Sequence, residues 1–303
     1  MSAVLHARAV TARRVVDVDA HEGPVYFADE DALYFTALPA ADGRVQIKRL
    51  ALDGSRFPLE LDRVSVVVQD ANGANGMAHD GEGRLLVCEQ GGLDAPARIS
   101  RADRSSGRRD TVVSEWRGLR FNSPNDVVAA SDGAVWFTDP SYGHLQGFRP
   151  EPVLGDYVYR HDPVSSETDV VADGFNKPNG IAFSPDGSVL YVTDSGANQK
   201  PGSYYPARPH HIKAFDVLNG RKLTGERLFA VVTPGFPDGL KVDATGRVYA
   251  SSFSGVQIFS PLGEHLGEIA LPGAVNFCFG GAEDDLLFIT TDSAIWVVEL
   301  PTP

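Results

Sequence analysis

The feature that most restricts what this chain can fold into is a strand–turn–strand unit that recurs six times. Its clearest copy is residues 121–139, Phe-Asn-Ser-Pro-Asn-Asp-Val-Val-Ala-Ala-Ser-Asp-Gly-Ala-Val-Trp-Phe-Thr-Asp. Two short apolar runs flank an Asp-Gly turn, the pattern of a hairpin, with Asn125 at its start and Asp139 at its end. The other copies begin at Glu22, Asn75, Asn179, Asp238 and Asn276, so the six leading residues follow at intervals of 53, 50, 54, 59 and 38. A strand-built repeat of about 40–50 residues is the signature of a propeller blade. The expected fold is all-β: a six-bladed β-propeller with four-stranded blades around a central channel, one domain over residues 1–303.

The remaining strands of each blade follow the hairpin. In the second copy they are Ala97–Ser100 and Thr111–Val113, in the third Tyr157–Tyr159 and Asp169–Val171, and in the fourth His211–Phe215 and Arg227–Phe229. About 27 residues follow Asn276, too few for a generous blade. An N-terminal strand, from Ala9-Val10 or Arg14-Val15-Val16, is therefore expected to complete the last blade and remove its open edge.

Composition narrows the partners. The net charge of −13 argues against nucleic acid and against anionic membrane surfaces, both of which select Lys and Arg. The chain shows no apolar run of membrane-span length and no secretory signal pattern, so a cytoplasmic protein is expected. Cys88 and Cys278 lie inside apolar runs of different repeats and read as buried small hydrophobes.

Hairpin geometry converts the repeat into a site. If each leading residue starts the innermost strand, the turn lies at the far end and the second strand returns to the first. Glu22, Asn75, Asn125, Asn179, Asp238 and Asn276 then ring one mouth of the channel, with Glu89, Asp139 and Asp194 nearby. An all-oxygen ring of carboxylates and amides suits a hard cation such as Ca²⁺, whereas Zn²⁺ selects His or Cys, which the repeat heads lack. Asn and Asp before Gly are also ordinary turn formers, which explains single positions but not Glu22 or the recurrence. Asn75 and Asn276 read as supporting residues rather than ligands. Two long connections, 140–156 and 195–210, leave second-strand ends and are expected to stand side by side over the mouth, with Tyr142, His144, Tyr204 and Tyr205 overhanging it. His79 falls away from the mouth. His210 and His211 are adjacent in a strand and point to opposite faces. Neither a Gly-x-Ser-x-Gly elbow nor a phosphate loop is present.

The segment Asn122-Ser123-Pro124-Asn125-Asp126 through Trp136-Phe137-Thr138-Asp139-Pro140-Ser141-Tyr142-Gly143 resembles the gluconolactonase branch of the senescence-marker/gluconolactonase/luciferin-regenerating family. Glu22-Gly23-Pro24-Val25, Lys177-Pro178-Asn179-Gly180, Phe236-Pro237-Asp238-Gly239 and Cys278-Phe279-Gly280-Gly281 resemble its further motifs, so the likeness spans most of the chain. His21 stands where a small residue is common and Tyr26 where Trp is frequent. Ser123 stands where animal-type members carry arginine.

The resemblance implies one divalent ion, Ca²⁺ first and Zn²⁺, Mg²⁺ or Mn²⁺ as alternatives, with Glu22, Asn179 and Asp238 as ligands. It makes Asn125 a ligand or substrate contact and Asp238 the general base. The expected activity is opening of a small-molecule sugar lactone, with Asn75, Tyr142 and His144 as further substrate contacts. Two other readings use the same ring: a propeller phosphotriesterase, and a calcium-binding or scaffold propeller without catalysis.

Overall fold

Why the second strand of every repeat is largely apolar is answered by how the sheets pack. In the computed structural model, which describes residues 11–54 and 57–300, the chain forms six four-stranded antiparallel sheets arranged as propeller blades. Blade 1 comprises Glu22–Phe27, Ala32–Thr36, Ile47–Ala51 and Val64–Val68, and blade 2 Ala74–His79, Leu85–Glu89, Arg98–Ala102 and Arg109–Val113. Blade 3 is Val127–Ala129, Val135–Asp139, Tyr157–Asp162 and Glu167–Ala172, and blade 4 is Pro178–Phe183, Val189–Asp194, His211–Leu218 and Lys222–Val231. Blade 5 is Leu240–Val242, Val248–Ser251, Gly255–Phe259 and His265–Ala270. Blade 6 takes Phe277–Gly280, Leu286–Thr290 and Ala294–Glu299 from the C-terminal end and Arg13–Asp17 from the N-terminal end, the latter pairing antiparallel with Ala294–Glu299. Arg14-Val15-Val16 thus lies in the outer strand of the last blade; Ala9-Val10 falls outside the described residues.

Side chains alternate across a strand, and each blade is covered on both faces by its neighbours. The second strands Ala32–Thr36, Leu85–Glu89 and Val135–Asp139 are consequently buried at every position. The core divides into six apolar clusters, each lying between two adjacent blades. Leu33 and Phe35 join the cluster shared with blade 6, where they meet Phe288 and Ile295, while Tyr34 joins Met77 and Val87 of blade 2. Trp136 packs toward blade 4 with Ile181 and Leu190, and Phe137 toward blade 2 with Cys88 and Ile99. Cys88 and Cys278 are buried and unpaired. Outer strands such as Glu167–Ala172 face solvent on one side and carry polar residues accordingly.

Neighbouring blades approach most closely around the channel axis. A Cβ on Gly180 would sit 2.5 Å from the Asp238 carbonyl oxygen, and one on Gly239 would sit 2.5 Å from Asn276 Oδ1. Only glycine permits that approach.

The ring carries one register correction. Asp126 accepts from Thr138 N through its carbonyl, donates its own N–H to Thr138 Oγ1, and accepts from Val127 N through its side chain. Asn276 makes the same set with Thr290 and Phe277. Asn276 is therefore the counterpart of Asp126, and Val275, not Asn276, occupies the leading position of blade 6. Blades 3 and 6 carry a polar side chain where Gly23, Gly76, Gly180 and Gly239 stand in the others.

Candidate active site at the channel mouth

The leading residues converge because threonines at the ends of second strands tie four of the six blades to the next. Thr36 Oγ1 donates to the Asn75 carbonyl at 3.2 Å, Thr138 Oγ1 to that of Asn179 at 2.8 Å, and Thr193 Oγ1 to that of Asp238 at 3.3 Å. Thr290 Oγ1 closes the circle onto the His21 carbonyl at 2.7 Å. The carboxylates at the same strand ends serve the scaffold. Asp139 accepts from Asn122 N and Ser123 N, and Asp194 from Asn176 N, Lys177 N and Gly196 N. Glu89 is buried against Arg98, Ser100 and Asn72. These acids brace the mouth rather than line it.

Glu22 is buried, and its Oε2 accepts from Asn276 Nδ2 at 2.6 Å and Gly23 N at 3.1 Å. Oε1 accepts no hydrogen bond from a described residue. Burial, reinforced by the nearby Asp238 carboxylate, lifts Glu22 from 4.5 to about 8. Asp238 is half-buried. Burial raises it to about 6, against the opposing charge of His21 and the Asn179 side chain beside it. The Asp238 carboxylate raises Glu22, and both acids are lifted by burial, with His21 the cation that opposes the shift at Asp238. Around them, Asn75 Oδ1 and Asn125 Oδ1 are buried without a hydrogen-bond partner among the described residues. Buried polar atoms are ordinarily paired, so unpartnered amide oxygens on the same ring as two carboxylates are the kind of oxygen donor set that suits a divalent cation. Among the described residues no three His, Cys, Asp or Glu side chains gather as a metal cluster. The available donor set is two carboxylates with amides.

The loops separate the two remaining expected contacts. Tyr142 opens a one-turn helix, Tyr142–Leu145, and is buried, its hydroxyl donating to the Ser195 carbonyl at 3.3 Å. Burial, with Asp238 close by, pushes its phenol well above the ordinary value, and the Asn179 side chain stands beside it. The two long connections thus touch at Tyr142, and Ser195 Oγ reaches the Pro237 carbonyl next to Asp238 at 2.5 Å. His144 is exposed on the same helix turn, away from this buried group. Tyr204 and Tyr205 are exposed, with Tyr204 edge-on to Phe253. His79 is exposed at the opposite end of the channel, against the Tyr26 carbonyl.

Two features escape sequence reasoning. His21 Nδ1 lies 2.7 Å from Asp292 Oδ1, a residue 271 positions away that ring closure brings to the mouth. Burial alone would lower this imidazole, but the Asp292 hydrogen bond and the Glu22 carboxylate raise it to about 9. Arg149 is buried beneath the Tyr142 loop and donates to the carbonyls of Asn122, Phe121, Gly92 and Ala95 at 2.7–3.0 Å. Nothing local marks either residue. The only sequence signal is that each departs from its surroundings: a histidine beside a repeat head, and an arginine in a Pro- and Gly-rich loop.

Residues 20–293 match the family model described as the SMP-30/gluconolactonase/LRE-like region. A gluconolactonase of Zymomonas mobilis is 32% identical over 300 residues, covering 94% of this chain and 80% of that protein. A pentonolactonase of Haloferax volcanii is 27% identical over 289 residues, covering 93% and 85%. The solved structure of a Xanthomonas campestris gluconolactonase superposes with a TM-score of 0.82 at 35% identity, covering 99% of this chain and 94% of that one.

Proposed function

Since the chain belongs to the SMP-30/gluconolactonase/LRE-like family, we propose that it is a metal-dependent lactonase that opens a sugar lactone of the aldonolactone type. The observation that carries this reading is the mouth itself: Glu22 and Asp238 raised by burial beside the orphaned amide oxygens of Asn75 and Asn125. Glu22, Asn125, Asn179 and Asp238 are the residues that would hold a divalent ion, Ca²⁺ by the hardness of its donors, with Mg²⁺, Mn²⁺ or Zn²⁺ as alternatives. Such an ion supplies Lewis acidity toward the ring carbonyl.

The chain's own groups do the rest. Asp238 orients the attacking water and takes its proton as oxygen adds to the carbonyl carbon. The bond from that carbon to the ring oxygen breaks, and the proton passes to the departing ring oxygen, giving a hydroxy acid. Asn75 and Asn125 hydrogen-bond the substrate, and Tyr142 closes one wall. The test is hydrolysis of gluconolactone and a pentonolactone after chelation and after return of Ca²⁺. Full activity in chelator, or none in either state, removes the proposal.

A further inference from the structure

The other half of the channel contains a second cavity that the lactone chemistry does not use. Beyond the layer of Asp126 and Asn276, the first strands of the blades enclose about 740 Å³. The wall is apolar, formed by residues such as Val25, Met77, Val128, Ile181, Ala182 and Phe279. The cavity opens at the face opposite the mouth, where hairpin turns carry Asp29, Gly83 and Asp284. Its volume is in the range of small-molecule sites, which are mostly apolar with a few placed polar groups.

One ammonium enters this wall. Lys241, on the first strand of blade 5, is about a quarter exposed, and its Nζ lies 3.9 Å from Asp126 Oδ2. That is within ion-pair range but beyond hydrogen-bond distance. Both Asp126 oxygens are already occupied, Oδ1 by Val127 N at 2.9 Å and Oδ2 by Ile181 N at 3.2 Å. Nζ donates no hydrogen bond to a described residue. An ammonium left with its donors free in an apolar enclosure is costly unless a ligand or water supplies acceptors. Its distance to Asp126 puts it at the inner end of the cavity, with the apolar wall running from there to the opening. The other cation of the lining, Arg104, is committed to Asp29 by two hydrogen bonds of 3.0 and 2.7 Å.

We propose that this cavity is a second binding site, for an apolar monocarboxylate whose head meets Lys241 and whose tail runs outward along the apolar wall. A single cation with uncommitted donors, already partly balanced by Asp126, favours one negative charge over a polyanion. A neutral apolar ligand would leave the ammonium's donors without acceptors.

Calorimetric titration of the full chain in saturating Ca²⁺ with decanoate, and with 1-decanol as the uncharged control, tests the site. Decanoate should bind, and Lys241→Met should weaken it at least about ten-fold while decanol binding is little changed. Val128→Trp, which fills the cavity and leaves Lys241 in place, should abolish binding of both and serves equally if Lys241→Met fails to fold. No decanoate binding at millimolar concentration overturns the proposal. So does equal affinity in wild type and Lys241→Met, unchanged affinity in Val128→Trp, or binding that is lost in Asp238→Asn and competes with lactone at the mouth.

Discussion

Replacing Glu22 with glutamine should make the metal-free protein more stable at alkaline pH while removing its response to calcium. The wild-type carboxyl rises from 4.5 to about 8 on folding, chiefly by burial and next by repulsion from Asp238. Between those values the native state keeps a proton that the unfolded chain has released, so stability falls as pH rises and the full loss stands above about pH 8. At about 1.4 kcal/mol for each pH unit, the loss is roughly 5 kcal/mol. Glutamine has no proton to release, and its amide oxygen still accepts from Asn276. At pH 9 the variant should exceed wild type by about that amount, and at pH 4.5 the two should converge. For 303 residues, an unfolding entropy of about 0.6 kcal/mol per kelvin converts this into roughly 8 °C in Tm. Asp238, raised to about 6, adds a slope of the same sign. His21, raised to about 9, contributes stability present below pH 6.5 and lost as pH rises toward 9. The variant lacks the Glu22 charge that helps raise His21, so its His21 slope is shallower and adds to the difference between the two melting curves in the same direction. Scanning calorimetry at pH 5, 7 and 9, in chelator and in excess Ca²⁺, measures it. Curves that stay parallel from pH 5 to 9, or a variant that keeps the full calcium shift, would refute the reasoning.

Three further perturbations separate catalysis from scaffold. Asp238→Asn should keep the fold by circular dichroism and cut lactone turnover by roughly 10²–10⁴, the usual weight of a general base, with a smaller change in KM; full turnover would remove its role. Arg149→Ala removes the donor shared by four carbonyls, of which those of Phe121 and Asn122 are in buried hydrogen bonds, and should cost about 3 kcal/mol, near 5 °C in Tm, measured by calorimetry with calcium affinity preserved. Shortening the 140–156 connection should change which lactone is preferred on an aldonolactone panel, while calcium binding, which belongs to the blades, survives.

How far the sequence discloses this molecule depends on the range of the interaction that fixes each part. The blades are legible because their cause is local. Runs such as Val-Trp-Phe at 135–137 are apolar on both faces because both faces are buried, and Asp-Gly turns punctuate them. The mouth is legible for the same reason: a hairpin returns its second strand to the level of its first residue, so six repeat heads must share one end. The displacement of Asn276 shows where that logic thins. An Asn before an apolar run looks like a repeat head, yet the pairing of Thr290 fixes it one position on, hydrogen-bonded to Glu22 rather than at the head of its blade. The doublet Asn125-Asp126 followed by Val127 was the available clue, since Val275-Asn276 before Phe277 has the same form with the head replaced by valine. Contacts that exist only after the ring closes left no trace at all. His21 meets Asp292 because the first and last blades are neighbours, and Lys241 reaches Asp126 because blades 3 and 5 face one channel. These are also the residues that differ most from a repeat's requirements: a propeller needs no imidazole beside a repeat head and no ammonium in an apolar channel. Local rules build the blades and bring the heads together, and the departures from those rules are where this chain's own chemistry is to be sought.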